Sequence, residues 1–387
     1  MQAVLLAVTF FRDVLPILQN HCQECHRPGQ IAPMSLATYE ETRPWAKAIR
    51  EQVRSHKMPP WPADPCCGHF SNDRSLSAAE IETLANWADN GSAKGDSQDA
   101  PPKKIWPEGW NLPSHDLELA MPRPFEIPAS GELEYQYFPI PTGFKEDRWV
   151  QAVEVRPGNR TVVHHIVVYI REPGSTWTGG PTKADILTVY APGSTPDSWP
   201  DGMAKLVQAG SDLVFEIHYT PTGKPASDQT AIALKFAKKP PEKRVLALQL
   251  NNDHFRIPAG ERDYRVTAWG SIPNDALLLS FFPHMHLRGK SFLFALNDGN
   301  NGSQTLLNVP NYSFFWQLSY RLKTPIPLKK GMRLQCWGTF DNSANNPLNP
   351  DPSVDVTYGQ QSSKEMMIGF FDVAVDANIG KPEFFVR

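Results

Sequence analysis

Apolar residues recur at two different spacings along this chain, and the change of spacing divides it. In the first quarter the spacing is helical. Val14, Leu15, Ile17 and Leu18 mark a helix over residues 13–21. Trp45, Ile49 and Val53, four apart, mark a second within 38–56. Ser77-Ala78-Ala79-Glu80 reads as a capping signal for a third, which presents Ile81, Leu84, Ala85 and Ala88 on one side and stops at Asn90-Gly91. From Gly95 to Pro113 the chain is polar and proline-rich, the composition of a linker. Beyond it apolar runs suited to strands take over, at 160–170, 213–219, 276–282 and 331–337. Turn pairs separate them: Pro173-Gly174, Pro192-Gly193, Thr222-Gly223, Asp298-Gly299 and Lys330-Gly331.

This pattern predicts several domains: a small all-α domain over 10–95, a linker over 96–114, then two all-β sandwiches. The break Lys238-Lys239-Pro240-Pro241 divides the β region into 115–240 and 241–387.

Composition narrows the functions. Of 387 residues, 41% are hydrophobic and 20% charged, ordinary for a globular protein, and 37 prolines favour loops and short strands. A formal net charge of -3 without a long basic run argues against nucleic acid. No apolar stretch approaches the roughly 18 residues of a membrane-spanning helix. The segment 1–11 is apolar but lacks a basic start; it reads equally as the tail of a signal peptide or as a lead-in to the first helix.

Five cysteines give no legible disulfide framework, but two of them carry chemistry. Cys22-Gln23-Glu24-Cys25-His26 is the C-x-x-C-H pattern of covalent c-type haem attachment. Two thiols one turn apart can add to the haem vinyl groups, and the adjacent His26 becomes the proximal iron ligand. Met58, in Lys57-Met58-Pro59-Pro60-Trp61, is the candidate second axial ligand; a thioether there raises the reduction potential. His21, His56 and His69 compete for that role and otherwise read as surface histidines. Residues 10–95 are therefore expected to be cytochrome c-like, with one haem. Cys66-Cys67 reads either as a vicinal disulfide or as a reduced pair, and Cys336 completes no pattern.

Three histidine segments in the β region also look chemical: His164-His165, His218 in Phe215-Glu216-Ile217-His218-Tyr219, and His284-Met285-His286. Side chains at i and i+2 of a strand share a face, so His284 and His286 can grip one ion. Adjacent His164 and His165 should point oppositely unless the strand ends, twists or bulges there. His115 and His254 lie in no motif. Tyr169, Tyr190 and Tyr219 read as packing residues.

The order of these motifs resembles the copper type II, ascorbate-dependent monooxygenases, which hydroxylate peptidylglycine or dopamine. That family has an adjacent His-His pair, a lone histidine in a strand ending His-Tyr, a His-x-His followed by Gly-Lys, and then Glu-Met. This chain has His164-His165, His218-Tyr219, His284-Met285-His286-Leu287-Arg288-Gly289-Lys290 and Glu365-Met366, over about 200 residues. With its haem motif, the whole chain is similar to bacterial members of the group.

The resemblance implies that the two all-β sandwiches are of jelly-roll type with a solvent-open cleft between them, and that they carry two copper sites. His164, His165 and His218 would hold the electron-transfer copper; His284, His286 and Met366 would hold the copper at which O2 reacts. Imidazole suits both copper states and a thioether favours Cu(I). Met367 is the rival of Met366, and on a strand the two point oppositely. Two departures bear on substrate. Phe282 and Phe370 stand where the peptide-amidating enzymes place an arginine and a tyrosine, so a small, weakly polar substrate is expected in place of a carboxylate-bearing peptide.

The expected protein is an exported, periplasmic or secreted bacterial copper monooxygenase. It would insert oxygen from O2 into a C–H bond, with electrons from an ascorbate-like reductant or a periplasmic redox protein, relayed through the haem. Two alternatives stand beside it: a non-catalytic haem and copper electron carrier, and a copper-free ligand-binding module.

Overall fold

The computed structural model describes residues 7–107, 109–179, 185–297 and 302–384. The Asp298-Gly299 turn and the first half of the apolar N-terminal segment lie outside them. The chain separates into two units, Met1–Pro62 with Asp73–Pro107 and Ala63–Asn72 with Glu108–Arg387. The boundary near residue 107 falls inside the expected linker.

The expected small all-α cytochrome c-like domain is not what forms. The molecule is mostly β, 37% strand against 13% helix. In the first unit the α-helical segments are short: Leu15–His21, Tyr39–Thr42, Ala46–Arg54 and Ala78–Asp89. The physical reason is proline and glycine. Pro28, Gly29 and Pro33 keep the stretch after Cys25 irregular, and Pro59, Pro60, Pro62 and Pro65 do the same after Met58. Residues 63–72, which the expected 10–95 domain included, belong to the second unit, where Asp64 N–H donates to the Asn308 carbonyl at 2.8 Å.

Local signals in the first unit nonetheless act where the sequence put them. Ser77 Oγ accepts from Glu80 N–H, and the Glu80 carboxylate accepts from Ser77 N–H at 2.8 Å. The helix that follows buries Leu84, Ala85 and Trp87. Its core partners are Phe10, Val14, Leu18, Ile49 and Val53. Trp45 departs from the expected face: it lies in the 3-10 turn Arg43–Trp45 and is 42% exposed.

The second unit is built on one long sheet. Its order is Leu117–Ala120, Ala231–Phe236, Arg148–Arg156, Met203–Val207, Lys243–Asn251, Ile368–Asp376, Ala276–His284, Tyr320–Leu328. Two four-stranded sheets accompany it. One runs Gln136–Pro141, Asp212–Tyr219, Val163–Arg171, Asp185–Tyr190; the other Tyr264–Ser271, Arg333–Phe340, Gly289–Asn297, Ser303–Val309. Val150, Val153 and Ile232 of the long sheet share a core with Ile166, Val168, Phe215 and Ile217 of the first small sheet. Phe281 of the long sheet meets Phe294 of the second at 4.7 Å between ring centroids. The two β halves are not separate bodies at Lys238–Pro241. Lys243 and Arg244 pair in parallel with Met203 and Ala204, so the long sheet continues through both.

Candidate metal centre

The difficulty of an adjacent histidine pair is resolved by a bulge. Along the Val163–Arg171 strand the pairing with Asp212–Tyr219 shifts register between Val163 and His165. Val163 faces the sandwich core, and beyond the shift Ile166, Val168 and Ile170 do. The extra residue changes the parity, so His164 and His165 both leave the core-facing side. His218 belongs to the same side. In its strand Leu213, Phe215, Ile217 and Tyr219 are core residues, and His218 sits directly across from His165.

One ring nitrogen from each of His164, His165 and His218 lies within 4.8 Å of the other two. The Nδ1 atoms of His164 and His165 approach to 2.9 Å. His218 Nδ1 is buried with no hydrogen-bond partner among the described residues. Such an orphaned imidazole nitrogen is costly unless a metal ion or another partner engages it. Tyr135 covers the triad, its ring centroid 5.0 Å from His218 and 5.6 Å from His165.

His284 ends the Ala276–His284 strand and His286 follows in the turn, with ring centroids 5.2 Å apart and planes at 89°. Each ring is held by its Nδ1 edge: His284 with Gln317 Oε1 at 2.7 Å, His286 with the Lys364 carbonyl at 3.2 Å. His286 Nε2 is buried and has no hydrogen-bond partner among the described residues. An imidazole tied at one nitrogen and bare at the other is the state of a metal-ligating histidine.

Glu365 fixes the turn that carries these rings. Its fully buried carboxylate accepts the backbone N–H of His286 at 2.9 Å and of Arg288 at 2.6 Å. Burial pushes its pKa up to about 8 against the pull of those donors. Met366, Ile368 and Phe370 then alternate onto one face and line a cavity of about 30 Å³. His284, His165, Gln317 and Phe282 line the same cavity. Met367 points the other way, its sulfur 3.9 Å from Cys336 Sγ in the core. Geometry thus separates the two methionines: Met366 shares a cavity with His284, and Met367 does not.

The two histidine groups lie close together. The His165 and His284 ring centroids are 6.2 Å apart, which replaces the expected open cleft with a narrow buried space. Burial holds every one of these imidazoles neutral. It lowers His164 to about 3 and His218 to about 4, with smaller contributions from neighbouring histidines; it lowers His284 to about 4 against the opposing hydrogen bond of Gln317, and it holds His165 and His286 well below the usual range. A larger hollow of about 620 Å³ reaches His218 from outside, between Glu132–Tyr137 and Tyr358–Lys364.

Sequence reasoning missed three contributors: Gln317, Phe314, which stacks on His164 at 4.5 Å, and Tyr135. None lies in a motif. Of the haem candidates, Cys22 caps the first helix, and Cys25 and His26 follow in a turn whose N–H groups donate to the Cys22 carbonyl. Neither thiol is disulfide-bonded, and His26 Nδ1 is 3.2 Å from the Met34 carbonyl. Met58 N–H donates to the Gln52 carbonyl. Cys66 and Cys67 form a vicinal disulfide.

No family model and no curated protein matches this chain. Among solved structures it is similar to N-glycanase F, at 10% identity and a TM-score of 0.31, over 66% of this chain and 96% of that one. It is similar also to allantoicase, at 9% identity and a TM-score of 0.16, over 56% and 79%. Likenesses of this size carry no argument about activity. Among the described residues no helix is long and apolar enough to cross a membrane.

Proposed function

We propose that this chain is a copper-dependent monooxygenase that hydroxylates a C–H bond of a small, weakly polar substrate. One observation carries the reading: a strand bulge turns His164 and His165 to the same side as His218, bringing three neutral imidazole nitrogens within 4.8 Å. The second group, two imidazoles anchored by their Nδ1 edges and a thioether lining the same cavity as His284, is a donor set suited to a copper ion that cycles to Cu(I). Bound copper would supply one-electron redox chemistry and the activation of O2.

The protein's own side chains do the rest. Burial keeps the ligating nitrogens unprotonated at neutral pH. Phe282, Ile368 and Phe370 present apolar surface beside His284 and Met366, which favours a weakly polar substrate; the cavity they line, about 30 Å³, has room for O2 or water and not for the substrate itself. The hollow beside His218 offers a small polar reductant an approach to the first group. Cys22, Cys25 and His26 support covalent attachment of one haem, a further electron store, and both chemistries suit an exported compartment. The test is oxygen consumption by copper-loaded, pre-reduced protein against apolar and aromatic small molecules. The expected result is stoichiometric hydroxylated product, abolished in Met366→Ala. Substrate-independent oxygen uptake equal in both proteins would refute it.

A further inference from the structure

Residues 310–319 connect the Ser303–Val309 and Tyr320–Leu328 strands and bring one buried side chain to each histidine group. Phe314 lies over the His164 ring, centroids 4.5 Å apart and planes within 21° of parallel. Gln317, 2% exposed, meets His284 Nδ1 through its Oε1 at 2.7 Å. Its Nε2 donates to the Phe314 carbonyl at 3.2 Å. That second bond fixes the chemistry of the first. With the amide N–H spent on a carbonyl, Oε1 faces His284 as an acceptor, so the Nδ1 of His284 must carry the proton and its Nε2 must present the lone pair.

We propose that the Phe314–Gln317 turn is a positioning element: Gln317 sets the tautomer and ring angle of His284, while Phe314, on the same turn, packs over His164. This inference rests on the metal reading above. It gives a connecting loop, with no ligand of its own, the task of bracing the second histidine group. Among the described residues Gln317 hydrogen-bonds to none of His164, His165 and His218, so its effect belongs to His284.

The experiment follows Cu(I) uptake by competition with a coloured chelator, in the full chain. The uptake step missing from His286→Ala defines the second group. Gln317→Leu, which keeps the volume but removes the acceptor, is expected to weaken that step about 10–100-fold, the usual effect of losing a partner that orients a ligand. The first step should not move, and it serves as the internal check on folding. Gln317→Glu restores the acceptor and should recover most of the lost affinity. The cupric electron paramagnetic resonance spectrum of the second group should change in the Leu variant and return in the Glu variant. Wild-type affinity in Gln317→Leu, equal weakening of both steps, or no recovery in Gln317→Glu would each overturn the proposal. Wild-type protein that shows no second step at all would remove the metal reading itself, a separate and distinguishable result.

Discussion

Acid should unfold the metal-free protein through its histidines, and His218 allows that claim to be measured. In an unfolded chain His218 takes a proton near pH 6.5; in the fold, burial lowers that to about 4. Between these values the unfolded state binds a proton that the folded state refuses. The stability this site contributes is therefore complete above pH 6.5 and is lost as pH falls towards 4. At pH 5 the gap from 6.5 corresponds to about 2 kcal/mol for this one residue. Glu365, raised to about 8, works in the opposite direction, so the total pH profile mixes both effects. The comparison with His218→Gln removes that mixture. Urea unfolding of metal-free wild type and variant at pH 7 and pH 5 gives the change for each. Wild type should lose about 2 kcal/mol more than the variant over that interval. Equal losses would refute the claim that this ring is buried neutral.

Other consequences follow from the same geometry. Glu365→Ala leaves two buried N–H groups, of His286 and Arg288, without their acceptor; at about 1–3 kcal/mol for each, thermal unfolding should show one of the larger single losses in the chain. Met367→Leu should cost less than about 1.5 kcal/mol and leave copper uptake intact, whereas Met366→Leu should weaken the second step, read by chelator competition. Deleting Val163 should restore regular pairing, turn His164 and His165 to opposite faces and abolish uptake at the first group alone, measured as copper per chain. Cys22→Ala with Cys25→Ala should eliminate covalently retained haem after acid denaturation, measured as protein mass.

Much of the fold was legible because local signals are local. Ser77 and Glu80 sit in the sequence as they sit in the helix cap, and the runs at 160–170 and 213–219 became paired strands. What failed were inferences about how much chain lies between such signals. Helical spacing at 13–21, 38–56 and 77–90 suggested a compact helical domain, but spacing does not reveal the irregular path that Pro28, Pro33 and Pro59–Pro60 impose, nor that 63–72 joins the other unit. The proline break at 240–241 suggested two bodies; strand pairing of 203–204 with 243–244, invisible in either segment alone, joins them.

The site divides in the same way. Residue type and order singled out the six candidate ligands, yet period-two alternation placed His164 and His165 on opposite faces. The bulge that reverses this is a property of pairing with Asp212–Tyr219 and has no signature in the His-His dipeptide. Gln317 and Phe314 were illegible because their role depends on a loop returning to two histidine groups that lie elsewhere in the chain. Glu365 was noticed as half of a Glu-Met pair; that it clamps the His286 turn emerges from its hydrogen bonds.

The most direct measurement is copper bound per chain, by native mass spectrometry of the whole protein after loading with Cu(I). Two ions are expected on the wild type, with His165→Ala and His286→Ala each retaining one, and the double substitution none. A wild type that binds no copper, or uptake indifferent to both substitutions, would contradict the account.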